Sequence, residues 1–222
     1  MTMKVIITGA TGMVGHGVLL ECLESDAVAS VLVVGRRSVG LSHQKLKEVV
    51  LADFSKTHEI AAELAGYEAC FYCVGVSSMG MSEADYRKNT HDLTLDFANV
   101  LAELSPQATF CYIAASGTDA ASKTMWARIK GETENALFAL PFASAYTFRP
   151  AYIHPMKGVK SRVGMYNAVL ALTRHLYPLI RVILPKHSTT SENIGKALIA
   201  AARDGYERPI LESDDINALA NR

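Results

Sequence analysis

The feature that most constrains this chain is its opening stretch. Lys4-Val5-Ile6-Ile7-Thr8 is a short β-branched run, and it leads into Gly9-Ala10-Thr11-Gly12-Met13-Val14-Gly15, three glycines spaced G-x-x-G-x-x-G. The amphipathic segment Val18-Leu19-Leu20-Glu21-Cys22-Leu23 follows. Together these read as a buried strand, a tight turn and the first turns of a helix. A turn of this kind lets backbone approach a pyrophosphate closely and aims the helix's free N–H groups at its charge. Gly9 permits a turn that a Cβ would obstruct, Gly12 leaves room for phosphates, and Gly15 lets helix and strand pack tightly. Gly9, Thr11, Gly12, Met13, Val14 and Gly15 are therefore candidate cofactor contacts. A plain strand–helix turn could use the same glycines. The context favours the binding reading, because a second strand, Ser30 to Gly35, arrives where a βαβ unit requires it.

Strand and helix patterns then alternate along the chain. Strands are expected near Leu46–Leu51, at Ala69 to Gly75, at Thr109–Ala114 and at Ala145–Phe148. Helices are expected over His58–Leu64, from Ser82 to Leu104 and from Ser122 to Leu140. Ser82 and Asp85 form a capping-box variant at the start of the long helix, and Pro106 ends it. Such alternation predicts an α/β fold with a parallel sheet covered on both faces. Beyond Pro150, helical stretches over 162–184 and 191–206 predict a small C-terminal helical appendage on the substrate side. There is no repeat, low-complexity segment or linker.

Composition narrows the function classes. Half of the 222 residues are hydrophobic, which excludes disorder as the dominant state. Formal net charge is zero, with 22 acidic and 22 basic residues, so nothing electrostatic argues for nucleic acid or an anionic membrane. The chain runs directly into a strand without a charged-then-apolar leader, so a cytoplasmic protein is expected. Met165 to Leu184 is the most apolar late segment, yet Arg174, His175, Pro178 and Arg181 interrupt it; a substrate lid or oligomer segment is expected there rather than a membrane span.

Cys70 and Cys73 form a C-x-x-C pair that metal or redox chemistry could use. They stand in a strand-like run, where positions three apart face opposite sides of the sheet. Both are accordingly expected to be buried small hydrophobes, and no metal is expected.

The end of the second strand carries the next chemical signal. A dinucleotide fold that prefers NAD places an acidic residue about 20 residues past the glycines, where it binds the ribose 2′-OH. Here that region reads Val34-Gly35-Arg36-Arg37-Ser38, with no acid. Two guanidiniums can grip a 2′-phosphate that a carboxylate would repel. Arg36 and Arg37 thus favour NADP(H) over NAD(H), with Ser38 in support; a pair of solvated arginines is the alternative.

T-G-A-T-G-M-V-G resembles the nucleotide fingerprint of the short-chain dehydrogenase/reductase superfamily, in its extended and atypical branches. The likeness extends to small Tat-interacting-protein-like oxidoreductases and to NAD-dependent epimerase/dehydratase relatives. It implies a Rossmann-type doubly wound sheet and one NAD(P)-binding domain over 1–222, with about 151–222 on the substrate side. It also implies that Asp53, beside Phe54, contacts the adenine amino group, although Asp53 could equally cap a helix starting at Ser55. Val74 and Gly75 would border the adenosine ribose. Asn89 matches an asparagine of the family's fourth helix, and Arg149-Pro150 matches an R-P pair of the extended branch.

The same resemblance implies a reductase site made of a serine after the fifth strand and Tyr-x-x-x-Lys on the next helix. There the tyrosine moves the proton, the lysine lowers its pKa and binds the nicotinamide ribose, and the serine orients a carbonyl. Lys130 is in place, and Gly131-Glu132-Thr133-Glu134 supports the register. Where tyrosine belongs stands Trp126, whose indole N–H only donates and cannot cycle a proton near neutral pH. The serine's place falls on Ala114 or Ala115; Ser116 either replaces it after a shift or shapes the turn. Tyr152, Tyr86 and His154 are candidate substitute acids.

Two functions are open on this reading. One is an NADP(H)-dependent oxidoreductase for a small carbonyl compound, working with a nonstandard acid. The other is a catalytically silent NADP(H)-binding sensor that acts through a partner surface. The shortness of the C-terminal portion weighs against a sugar-nucleotide substrate. Family helices often pair across four-helix interfaces, so a homodimer is a further expectation.

Overall fold

The computed structural model describes residues 2–157 and 185–222. Met3–Thr8 (β1) is an interior strand of a seven-stranded sheet. The other strands are Val28–Gly35 (β2), Leu46–Val50 (β3), Ala69–Tyr72 (β4), Thr109–Ile113 (β5), Ser144–Arg149 (β6) and Ile210–Glu212 (β9). Their order is β3-β2-β1-β4-β5-β6-β9, and every neighbouring pair is parallel. A separate two-stranded pair joins Tyr152–His154 (β7) to Ser188–Thr190 (β8).

Side-chain alternation along the strands divides the core into two layers. Val5, Ile7, Val31 and Val33 pack beneath Met13–Glu24 (α1) and Ser191–Asp204 (α6). Ile6, Leu32, Cys70, Tyr72, Phe110 and Tyr112 pack on the opposite face with Phe97 and Leu101. Phe97 and Leu101 belong to Leu93–Leu104 (α4), and Leu137 of Met125–Phe138 (α5) joins the same layer. Cys70 sits in this second layer while Cys73 packs against the first, so the two thiols face opposite sides of the sheet. All four cysteines are free thiols, and no group of His, Cys, Asp and Glu among the described residues could hold a metal ion.

Where helices depart from expectation, capping explains the departure. Asp53 caps a 3₁₀ segment at Phe54–Ile60 by accepting from the Ser55 backbone N–H at 3.0 Å. The expected helix over His58–Leu64 is thus a 3₁₀ turn followed by the single α-turn Ala61–Leu64 (α2). Ser82 caps Glu83–Arg87 (α3) by accepting from the Asp85 N–H at 3.1 Å, and its hydroxyl donates to the Asp85 carboxylate at 2.6 Å. Lys88–Asp92 adds a π-turn before α4, so the long helix runs to Leu104 with one inserted residue's worth of slack.

The C-terminal portion supplies more than the expected helix over 191–206. β9 extends the sheet beyond β6, and Ser213–Ala220 (α7) follows it. Glycines let α6 cross α1 closely: a Cβ on Gly17 would lie 2.7 Å from the Ser191 Cβ, and one on Gly195 2.6 Å from the Glu21 Cγ. Lys157 reinforces the contact with ion pairs of 2.6 Å to both Glu21 and Glu24. The expected stretch 162–184 lies outside the described residues. No helix among the described residues is long and apolar enough to cross a membrane.

Candidate functional site

The strand order reverses at β1: the chain leaves β1 towards α1 on one face, while the neighbouring β4 leads to helices on the other. Crevices for ligands form at such a switch, outside the C-terminal ends of the strands. The glycine turn occupies this point. Gly9 has φ +68°, and a Cβ there would lie 2.5 Å from the Cys73 carbonyl oxygen. A Cβ on Gly15 would run into the Gly9 carbonyl, so helix and turn meet backbone to backbone. Gly12 is less crowded, with only the Gly9 oxygen near, at 3.3 Å. It caps α1 without a side-chain hydrogen bond, and the first turn of the helix has no acidic residue. The first N–H groups of a twelve-residue helix, those of Met13 and Val14 among them, thus face the crevice without a side-chain cap.

Arg36 and Arg37 follow β2 on the same edge of the sheet. Both are exposed, and neither makes an ion pair with another described residue. The Ser38 hydroxyl donates to Glu48 at 2.5 Å, which ties down the loop that carries them. Asp53 is committed to its cap: the hydrogen bonds from Ser55 hold its exposed carboxyl below the usual carboxylate range. The Phe54 side chain corrects an expectation, because it is buried with its ring 5.9 Å from that of Phe97. Its role is in the core, as an aromatic ring beside a 3₁₀ turn gains more from burial than from a solvent-facing contact. β4 ends at Tyr72, so Val74 and Gly75 leave the sheet as loop; a Cβ on Gly75 would meet nothing within 4 Å.

β5 and α5 bring the remaining candidates together. Gly117 follows β5 with φ +84°, and the Trp126 ring packs over it: a Cβ on Gly117 would lie 3.6 Å from the Trp126 Cη2. Ser116 is fixed by its N–H, which donates to the Pro150 carbonyl at 3.1 Å. α5 approaches so closely that a Cβ on Gly131 would overlap the Ala120 backbone. Two ion pairs hold α5 against α3. The Arg128 guanidinium donates to both Glu83 oxygens at 2.9 Å, and Arg87 pairs with Glu132.

Lys130 lies one helical turn beyond Trp126, on the same face of α5. It is partly buried, and its Nζ stands 5.3 Å from the centre of the Tyr112 ring. Its ammonium makes no hydrogen bond or ion pair with another described residue. Burial lowers its pKa from 10.5 to about 8, against an opposing pull from Glu134. The Tyr112 hydroxyl is buried without a hydrogen-bond partner among the described residues, and desolvation pushes its pKa well above the ordinary phenol value. Tyr112 was not singled out in the sequence; its alternation in β5 marks it only as a core residue.

Arg149 and Pro150 depart from the expected cofactor contact. The Arg149 guanidinium forms a fork with Glu134, Nε donating to Oε1 at 2.9 Å, and a second contact reaches Glu212 at 3.7 Å. Glu134 is only 2% exposed, so this is a buried structural pair. Pro150 is buried and offers its carbonyl to Ser116. Glu212, at the end of β9, was missed because a three-residue edge strand leaves no periodic trace. Burial raises its pKa, countered by the Ser116 hydroxyl and Arg149. Among the expected substitute acids, Tyr86 is buried, which raises its phenol further. Tyr152 and His154 stand in β7, paired with Ser188 and Thr190. The Asn89 amide donates to the Asp85 carbonyl at 2.8 Å within the π-turn.

A parallel sheet with the switch point at β1, an uncapped glycine turn and a lysine at the mouth of β5 define a Rossmann-type dinucleotide-binding protein. Residues 5–137 match the model of the NAD dependent epimerase/dehydratase family, and the chain belongs to that family. Its relatives include the rat protein HTATIP2, 27% identical over 152 residues, a match covering 68% of this chain and 62% of the rat protein. The chain thus spans less than two thirds of that relative. Another is the mitochondrial protein fmp52-2 of Aspergillus terreus, 28% identical over 201 residues, which cover 89% of this chain and 85% of the fungal one. Among solved structures, a short chain dehydrogenase family protein from Francisella tularensis superposes with a TM-score of 0.68 at 14% identity, covering 96% of each chain. A Burkholderia cenocepacia short chain dehydrogenase in complex with NADP gives 0.66 at 12% identity, over 99% of this chain and 92% of that one. These likenesses confirm the fold and the atypical branch of the superfamily.

The cytoplasmic expectation is corrected by the relatives. The matching fungal proteins from Aspergillus terreus, Aspergillus oryzae and Debaryomyces hansenii are named mitochondrial, which points away from the cytoplasm. The family binds NAD(P), and the residues present fit such a group. α1 offers an uncapped N-terminus, Gly75 borders open space, and the Lys130 ammonium has no hydrogen-bond acceptor among the described residues.

Proposed function

We propose that this protein binds NADP(H) across the α1 turn and reduces a small carbonyl compound beside Lys130. The observation that carries the reading is the convergence on one sheet edge of the uncapped α1 terminus and the Lys130 ammonium, which has no hydrogen-bond partner among the described residues. In this reading Gly9, Thr11, Gly12, Met13, Val14 and Gly15 hold the pyrophosphate, and Arg36 and Arg37 grip the 2′-phosphate. Val74 and Gly75 line the adenosine side, where Asp53 keeps one carboxylate oxygen free of Ser55. Lys130 holds the nicotinamide ribose. The nicotinamide, when bound, supplies the hydride.

Trp126 cannot act as the acid that a tyrosine would be. Ser116, whose hydroxyl hydrogen-bonds the Glu212 carboxylate at the same edge, is the proton-bearing side chain that takes the acid's place. Packed over Gly117, the Trp126 ring narrows the mouth and favours a small substrate. NADPH consumption across a library of small aldehydes and ketones tests this. Lys130→Ala and Ser116→Ala should each abolish turnover, and turnover untouched by Lys130→Ala would overturn the assignment.

Trp126 also supports a second reading, an NADP(H)-occupied protein without hydride chemistry. It predicts tight cofactor binding without turnover, and gain of reductase activity in Trp126→Tyr. Appreciable turnover by the wild-type protein would refute it.

A further inference from the structure

In the family resemblance, Lys130 serves a bound cofactor. Its surroundings in this chain give it a second capacity. Nζ lies over the Tyr112 ring at 5.3 Å and meets no hydrogen-bond acceptor among the described residues. The carboxylate best placed to neutralise it, Glu134 one turn further along α5, is drawn off by the Arg149 fork and shares that arginine with Glu212. Tyr72 and Tyr86 flank Tyr112 and are themselves buried phenols, protonated at neutral pH. One turn before, Trp126 presents an indole where other members would place a hydroxyl. A partly exposed lysine nitrogen set over an aromatic ring, with no ion-pair partner within reach among the described residues, is the setting of amines that attack carbonyl carbons.

We propose that Lys130 is a nucleophilic lysine that captures small aldehydes as imines in the cofactor-free protein. The neutral amine adds to the carbonyl carbon, forming the C–N bond. The resulting hydroxyl then takes a proton and leaves as water, and the nitrogen lone pair closes the C=N bond. No electrons are gained or lost, so the step needs no oxidant or reductant. The flat Trp126 ring favours an uncharged, planar aldehyde over an anionic one. Because cofactor binding would use the same nitrogen, the two uses exclude one another.

The unmodified, cofactor-stripped protein tests this with benzaldehyde as the probe and cyanoborohydride to trap the imine. Peptide mass spectrometry then ranks the lysines by labelling rate. A pKa near 8 rather than 10.5 leaves the free-amine fraction at pH 7 about two orders of magnitude higher, partly offset by weaker basicity. Lys130 should therefore label roughly ten times faster than the exposed lysines. Its rate should level off above pH 8, and Lys130→Arg should remove the fast site alone. A rate for Lys130 at or below that of the exposed lysines, or one still climbing towards pH 10, would overturn the proposal. Saturating NADPH is a separate arm: fast labelling that NADPH does not suppress would leave the nucleophile standing and refute the placement of the cofactor at Lys130.

Discussion

Removing Glu134 should expose how the site is built. Its carboxylate is 2% exposed and holds Arg149, itself 17% exposed, through a two-pronged contact. Truncation to alanine leaves a buried guanidinium with only Glu212 among the described residues, at 3.7 Å and 40% exposed, to answer it. Breaking a buried pair from one side costs about 3–5 kcal/mol, because the survivor's desolvation goes uncompensated. Partial rescue by Glu212 brings the expected loss to about 3 kcal/mol. For a chain of this size that is a fall in Tm of roughly 6–12 °C. The double variant E134L/R149M removes both charges and should lie within about 1 kcal/mol of the wild type. Urea unfolding followed by circular dichroism measures all three. A loss below about 1 kcal/mol for E134A, or a double variant no better than the single one, would refute the reasoning. Cofactor binding adds a second readout. If E134L/R149M folds yet no longer binds NADPH, then Arg149 touches the ligand after all.

The two kinds of glycine in the crevice should part company. Gly15→Ala forces a Cβ onto the Gly9 carbonyl and should cost stability and cofactor binding together, whereas Gly75→Val, in open space, should spare Tm but weaken NADPH by tenfold or more in calorimetry. Replacing Arg36 and Arg37 with alanine should raise the Kd for NADPH by roughly tenfold each, about 1.4 kcal/mol apiece, and leave NADH unchanged. A matching loss for NADH would remove the 2′-phosphate from the argument. Lys130 also sets a pH dependence. Its pKa is lowered from 10.5 to about 8 on folding, so between those values the unfolded chain binds the extra proton and this group's contribution to stability rises with pH. The buried cysteines and tyrosines, whose pKa values folding raises, pull the other way, so Lys130 is read as a difference. Between pH 8 and 10.5 the stability of Lys130→Met should fall more steeply with pH than that of the wild type, and identical slopes in denaturation midpoints would refute it.

Much of this architecture could be read from the chain because its signals are local. The β-branched run, the glycine spacing and the strand–helix alternation placed β1, α1 and the layered sheet, and period-two alternation put Cys70 and Cys73 on opposite faces. Asp53 shows where local chemistry allows two answers: its carboxylate caps the turn at Ser55, a role the spacing had left open. Arg149 shows the opposite difficulty. Nothing near it in sequence announces Glu134 or Glu212, since the fork is made by a helix and two strands that only the fold brings together. β9 was illegible for a simpler reason. Three residues at a sheet edge are fixed by pairing with β6, not by their own pattern. Phe54 was misjudged because the 3₁₀ turn that rotates its ring inwards starts at Asp53, before the expected helix.

The crossing of α1 and α6 has a consequence for how the molecule could be divided. The family match ends at residue 137, which invites cutting the chain there to obtain a minimal nucleotide binder. Yet the helix proposed to present the phosphate site is seated in a saddle formed by Ser191 and Gly195, and Lys157 staples its far end. A fragment stopping near residue 150 would leave Val18, Leu19 and Cys22 facing water on the side that Ile194 and Leu198 now cover. Such a fragment is expected to be insoluble or molten, and its failure to bind NADPH would reflect a lost buttress, with every proposed phosphate contact still encoded in it.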